Sequence, residues 1–160
     1  MRTGARLMVG LSGILTAGQL APSVVGCPGA TARFTHRANP LPGGQVLLTF
    51  DDGPHPEGTA AILDRLSAWK VRALFFLVGE QLVDYPDLGR RIVAEGHDVG
   101  VHGWNHRPVP FVPPVTAGRD IQRTIDSIAD ICGRLPRCYR PPYGGATGTA
   151  LIAAHRAGLT

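Results

Sequence analysis

Three short clusters hold the residues best suited to chemistry. Asp51 and Asp52 stand side by side in Thr49-Phe50-Asp51-Asp52-Gly53-Pro54, His102 and His106 bracket Gly103-Trp104-Asn105, and Arg140-Pro141-Pro142-Tyr143-Gly144 follows farther along the chain. Two imidazoles and one carboxylate make a familiar ligand set for a catalytic divalent metal, because three protein ligands leave one position open for water. With Asp52 as the ligand, Asp51 is free to act as a base. Adjacent carboxylates in a strand face opposite ways, so the expectation is that both reach one pocket at a strand-to-loop transition. The His-Glu-x-x-His pattern of zinc peptidases is not matched, since no Glu follows His102. Each cluster also has a plain structural reading. Asp-Asp-Gly-Pro is good turn chemistry, paired histidines are common as satisfied surface side chains, and Arg-Pro-Pro-Tyr suits a rigid turn or a stretch of polyproline conformation. What favours chemistry is that all three occur in one chain, each just after a segment that reads as a strand.

Those strands fall at 46–50, 73–78, 98–101 and 138–140, and the segments between them have helical periodicity. Helices are predicted over 58–70, 86–95, 116–131 and 149–156. In the first, Ile62, Leu63, Leu66 and Trp69 share a face; in the third, Ile121, Ile125, Ile128 and Ile131 do. Pro86 opens the second and Gly96 follows its end. Continuous rather than alternating apolar strands, separated by helices, argue an α/β fold with a parallel sheet covered by helices. Reactive residues in such folds gather at the C-terminal ends of strands, where all three clusters sit. Four parallel strands do not close a barrel, so the chain reads as cut short after Gly158-Leu159-Thr160, with both sheet edges open.

The chain has 160 residues, of which 44% are hydrophobic and 18% charged, which suits one globular domain and excludes a disordered or low-complexity protein. Sixteen basic and 12 acidic side chains give a net charge of +4. Once Arg2 and Arg6 are set aside, 14 basic residues face 12 acidic ones, a balance that gives no reason to expect a nucleic-acid partner. The first 50 residues contain no Asp or Glu, and Arg2 and Arg6 precede an apolar run from Leu7 to about Gly18. That is the pattern of a secretory signal, so an exported protein is expected. Two exits are open: an ordinary cleavage site at Ala30-Thr31-Ala32, or a lipobox at Val24-Val25-Gly26-Cys27 that would lipidate Cys27 and leave a cell-surface lipoprotein. An uncleaved anchor is disfavoured by Gln19, Pro22 and Ser23. Residues 1–32 are thus read as leader, 33–44 as linker and 45–160 as the domain. Outside the cytosol Cys132 and Cys138 are expected to form a small disulfide, the alternative being two buried thiols.

In order and separation, Thr49-Phe50-Asp51-Asp52-Gly53-Pro54, His102-x-x-x-His106 and Arg140-Pro141-Pro142-Tyr143-Gly144 resemble the first three motifs of the polysaccharide deacetylases. This family is also called the NodB-homology family or carbohydrate esterase family 4. Phe75-Phe76 and Gly96-His97-Asp98-Val99-Gly100 add to the likeness, which covers about residues 45–160. The resemblance implies a distorted parallel (β/α) barrel, here incomplete with about four βα units. It implies a hydrolase of non-peptide carbon–nitrogen bonds in carbohydrate metabolism, removing acetyl groups from an N-acetylated glycan such as chitin or peptidoglycan. The cofactor it implies is a divalent metal, zinc or cobalt.

Carried over position by position, the resemblance makes Asp52, His102 and His106 the metal ligands and Asp51 the general base. Arg140 resembles the arginine that holds this base, and Tyr143 the residue whose backbone N–H meets the oxyanion. A monomer is expected, with membrane attachment only through a lipidated Cys27. Two departures stand out. Gly103 occupies a place where the family carries Ser or Thr, whose hydroxyl braces the loop, so a looser metal site is expected. The family's fourth and fifth motifs, an Asp–Trp segment and a Leu-x-His that supplies the general acid, are not found. His155 comes too early to match and reads as a surface helix residue, His97 as structural, and His55 as a pocket-rim residue. Alternatives to a glycan N-deacetylase are an inactive glycan- or metal-binding relic, an O-acetyl (xylan-type) esterase, and a metallohydrolase on a similar barrel that acts on a small amide.

Overall fold

Leu74, Phe75, Phe76 and Leu77 are buried without a polar break, as a strand covered on both faces must be. They form the middle strand, β2 (Leu74–Leu77), in a computed structural model that describes residues 46–160. The predicted leader, both of its exits, Cys27 and the linker lie outside the described residues. Strands β1 (Thr49–Gly53) and β3 (Asp98–Val101) flank β2, all parallel, in the order β1-β2-β3. The register is continuous between β2 and β3, from Leu74 opposite Asp98 to Leu77 opposite Val101.

Five helices carry the chain between and beyond these strands: α1 (Gly58–Trp69), α2 (Gly79–Asp84), α3 (Pro86–Ala94), α4 (Pro114–Cys132) and α5 (Gly148–Arg156). Short 3₁₀ turns occupy Val109–Phe111 and Pro142–Gly144. Leu63 and Leu66 of α1, Ile92 of α3 and Ile121, Ile125 and Ile128 of α4 pack with Phe75, Leu77 and Val101 into one apolar core. Arg91 ties α3 to α1 by pairing with Asp64 at 2.6 Å while also holding Glu95 of its own helix end. Among the described residues no helix is long and apolar enough to cross a membrane.

Three expectations about the strands and the cysteines need correction. The first strand begins three residues later than predicted, at Thr49, because Val46 and Leu47 are exposed and only Leu48 onward meets β2, where its carbonyl accepts from Leu74. The fourth strand is reduced to a single parallel bridge between Val101 and Tyr139, so the barrel is not closed. Pro136 on one side and Pro141-Pro142 on the other remove the backbone donors that a longer ladder needs. The far side of this bridge is met by the last residue, since Tyr139 donates to the Thr160 carbonyl and Thr160 to that of Arg137, both at 2.9 Å. Cys132 and Cys138 remain separate thiols. Cys132 ends α4 against Gly89 of α3, where burial pushes its thiol up to about 11, whereas Cys138 lies beside β3.

Trp69, expected on the buried face of α1, is 67% exposed. With Leu48, Phe50, Ile62 and Leu66 it lines an open apolar groove of about 320 Å³ beside the outer edge of β1.

Candidate metal centre

The adjacent carboxylates come together through an irregularity in β1 rather than beyond its end. Phe50 lies opposite Phe75 and Gly53 opposite Leu77, so Asp51 and Asp52 share the space across from Phe76 alone. Two residues facing one is the signature of a β-bulge, which re-aims side chains at the cost of regular pairing. Asp52 takes φ +64°, a left-handed conformation uncommon outside glycine. The alternation that would separate the two carboxylates is thereby broken.

His102 follows β3 directly and is 3% exposed. Its Nδ1 lies 2.7 Å from the Arg140 carbonyl oxygen, which only accepts, so Nδ1 carries the proton and Nε2 keeps its lone pair. Burial lowers the pKa of this imidazole below its ordinary value and favours the neutral ring a metal needs. His102 Nε2 is 3.1 Å and His106 Nε2 2.8 Å from Asp52 Oδ1. One ligand atom from each of these three residues lies within 4.8 Å of the others. Two imidazoles and one carboxylate, with the Arg140 carbonyl fixing the tautomer of His102, form a set that fits a zinc-like divalent ion.

Around this cup the structure brings together the other expected residues. Arg140 Nη1 reaches Asp51 Oδ1 at 2.6 Å and Thr49 Oγ1 at 3.0 Å, and its guanidinium lies 4.1 Å above the Phe76 ring. One residue thus serves both sides: the side chain holds Asp51 and the carbonyl orients His102. Tyr143 sits in its 3₁₀ turn at φ +57°, with its ring 4.6 Å from that of His106. His106 is itself at φ +51°, so three site residues occupy left-handed backbone. Such conformations persist where the surrounding structure over-determines them, and they cluster at functional sites.

The remaining histidines stay outside. His97, 2% exposed, accepts from the Ala73 N–H through Nδ1, a structural role as expected. His55 is exposed; its Nδ1 accepts the Gly58 N–H and its own N–H donates to Thr59, so it seats the start of α1. His155 is exposed on α5. Two contributors escaped the sequence reading. Trp104, in the loop between His102 and His106, is buried, with Arg123 3.6 Å above its ring. Gln81, on the unexpected α2, reaches the backbone of Asp52. Neither residue type in isolation signals a site.

Residues 38–160 match the family described as polysaccharide deacetylase. The peptidoglycan-N-acetylmuramic acid deacetylase PdaC of Bacillus subtilis (strain 168) is 42% identical over 100 residues, which are 62% of this chain and 21% of that protein. A chitooligosaccharide deacetylase of Bradyrhizobium sp. (strain ANU 289) is 39% identical over 115 residues, 71% of this chain and 52% of that protein. The solved structure of peptidoglycan deacetylase PdaC from Bacillus subtilis matches with a TM-score of 0.65 at 37% identity, covering 71% of this chain and 55% of that one. The matched segment is between 21% and 52% of the length of these two curated relatives.

Proposed function

The chain belongs to the polysaccharide deacetylase family, and on that premise we propose that it hydrolyses acetamide groups on an N-acetylated glycan with the help of a divalent metal, zinc or cobalt. The observation that carries the reading is the convergence of Asp52, His102 and His106 beside an Asp51 gripped by Arg140. A metal held by the first three supplies Lewis acidity, which brings the pKa of a water towards ~7. Asp51 takes the proton of the attacking water, and Arg140 keeps its carboxylate aimed at that place. The water oxygen adds to the acetyl carbon, the proton that Asp51 took passes to the amide nitrogen, directly or through water, as the C–N bond breaks, and acetate and a free amino sugar leave. The Tyr143 backbone N–H meets the oxyanion in between, a kind of contact typically worth ~3 kcal/mol. Relatives named for peptidoglycan and chitooligosaccharide make an amino-sugar polymer the substrate class of choice. An exported protein fits such a substrate, in keeping with the charged and apolar start of the chain.

The test is acetate release from N-acetylglucosamine oligomers by the 160-residue chain, with and without added zinc or cobalt. Asp51→Asn is expected to cut the rate by ~10²–10⁴-fold while leaving metal affinity close to that of the parent. Asp52→Asn is expected to lose both. Metal binding without any acetate release would instead support the inactive binding relic. Release from acetylated xylan but not from amino-sugar oligomers would support the esterase.

A further inference from the structure

Four consecutive residues at the end of β2 and the start of α2 bond to both ligand-bearing segments. The N–H groups of Gly79 and Glu80 donate to the carbonyls of Gly103 and Trp104 at 3.0 and 2.9 Å, between the two ligand histidines. The Val78 N–H donates to the Gly53 carbonyl at 2.8 Å, next to the ligand Asp52. The Gln81 side chain completes the set. Its amide end faces the Asp52 carbonyl at 2.7 Å and the Pro54 carbonyl at 3.0 Å. Both neighbours only accept, so the group facing them is the NH₂, and both of its hydrogens are used. The carbonyls of Asp52, Gly53 and Pro54, three in succession, therefore all end on residues 78–81.

From this geometry we infer that Gln81 is a positioning residue for the metal ligand Asp52. The inference rests on the metal reading above. Asp52 holds its carboxylate against His102 and His106 only while its backbone stays at φ +64° in the bulge. The Val78 N–H restrains the neighbouring Gly53 carbonyl. Gln81 holds the bulge from outside, by pinning the carbonyl of Asp52 and that of the residue two places on. Its amide bonds are to the backbone carbonyls of Asp52 and Pro54, so its effect reaches the site through the main chain.

Zinc affinity of the metal-free 160-residue chain, measured by competition with a chromophoric chelator, tests this directly. Gln81→Met keeps the shape without a donor, and Gln81→Glu keeps the shape with acceptors only. Both are expected to bind zinc about 10–100-fold more weakly than the parent, as is typical when an outer-shell partner of a metal ligand is removed. Gln81→Glu is expected to be the weaker of the two, because a carboxylate would face two carbonyl oxygens. The visible absorption of cobalt-loaded samples should change in shape as well as in saturation, since ligand geometry and not only occupancy is disturbed. The thermal midpoint of the metal-free Met variant should stay close to that of the parent. Zinc binding by Gln81→Met within about twofold of the parent overturns the proposal. So does a metal-free Met variant that has lost its fold, because the amide then supports the whole region rather than one ligand. A parent chain that binds neither zinc nor cobalt overturns the metal reading itself, and that is seen before any variant is compared.

Discussion

Arg140 shows how one residue can order a site from two directions, with a guanidinium on Asp51 and a carbonyl on His102. Gly103 shows the opposite, a place where adding a side chain is expected to harm. The family resemblance suggests that Ser or Thr there would brace the loop, but Gly103 sits at φ +82°, and an added Cβ would lie 3.3 Å from Pro142. Its carbonyl is already held by the Gly79 N–H. Gly103→Thr is therefore expected to destabilise the chain by about 1–2 kcal/mol, since β-branched residues avoid left-handed backbone. Urea unfolding of both proteins decides it, and a Thr variant at least as stable as the parent would restore the brace argument. His97 makes a separate prediction. Burial outweighs the pull of Glu95 and Asp98 and lowers its pKa below the ordinary 6.5. Burial lowers His102 in the same direction. Between the lowered value and 6.5 the unfolded chain binds more protons than the folded one, so stability is full above pH 6.5 and falls as the pH drops. Each such group contributes a slope of at most about 1.4 kcal/mol per pH unit. The urea midpoint of metal-free protein should fall between about pH 7 and 5, and fall less in His97→Gln; a flat profile would contradict this.

At the scale of elements, α2 is the piece that matters and the piece the sequence concealed. Six residues give too little periodicity to announce a helix, and Tyr85 separates it from α3 with φ −126° and ψ 59°. Its first residue has a defined job. A Cβ on Gly79 would stand 2.4 Å from the Trp104 ring and 2.9 Å from Thr124 Oγ1. Gly79→Ala should cost about 1–3 kcal/mol as overpacking, and should also weaken zinc binding, because Trp104 lies in the loop between His102 and His106. Calorimetry with zinc measures both, and unchanged affinity would separate Trp104 from the site. The candidate metal-holding residues Asp52, His102 and His106 are legible in the sequence because Asp and His types at those spacings follow apolar runs, and the structure brings the three together. The bulge was not, since nothing in Phe50-Asp51-Asp52-Gly53 specifies two residues opposite one until Phe76 is known to be the partner. The first strand starts later than its apolar run for a related reason. The apolar run starts at Val46, yet pairing starts where β2 offers a partner and continues into the charged residues. The last predicted strand shrinks to one bridge because Pro136, Pro141 and Pro142 lack the backbone N–H that a longer ladder needs.

On the scale of the whole molecule, the cup joins β1 to the segment after β3, while Arg140 draws in the chain that follows α4. Metal should therefore stabilise the entire folded body, not a loop. At a free zinc concentration about 100 times its dissociation constant the gain is about 2.7 kcal/mol, or roughly 10 °C in thermal midpoint for a domain of this size. A melt with zinc against one with chelator checks this, and Asp52→Asn should show no shift. The bonds from Val78, Gly79 and Glu80 to the carbonyls of Gly53, Gly103 and Trp104 have a consequence in time as well as in space. Those three amide protons are locked away only while both loops are seated. Fraying the start of α2 and parting Asp52 from His102 and His106 are thus one fluctuation, and the rate at which these protons trade with solvent is its clock.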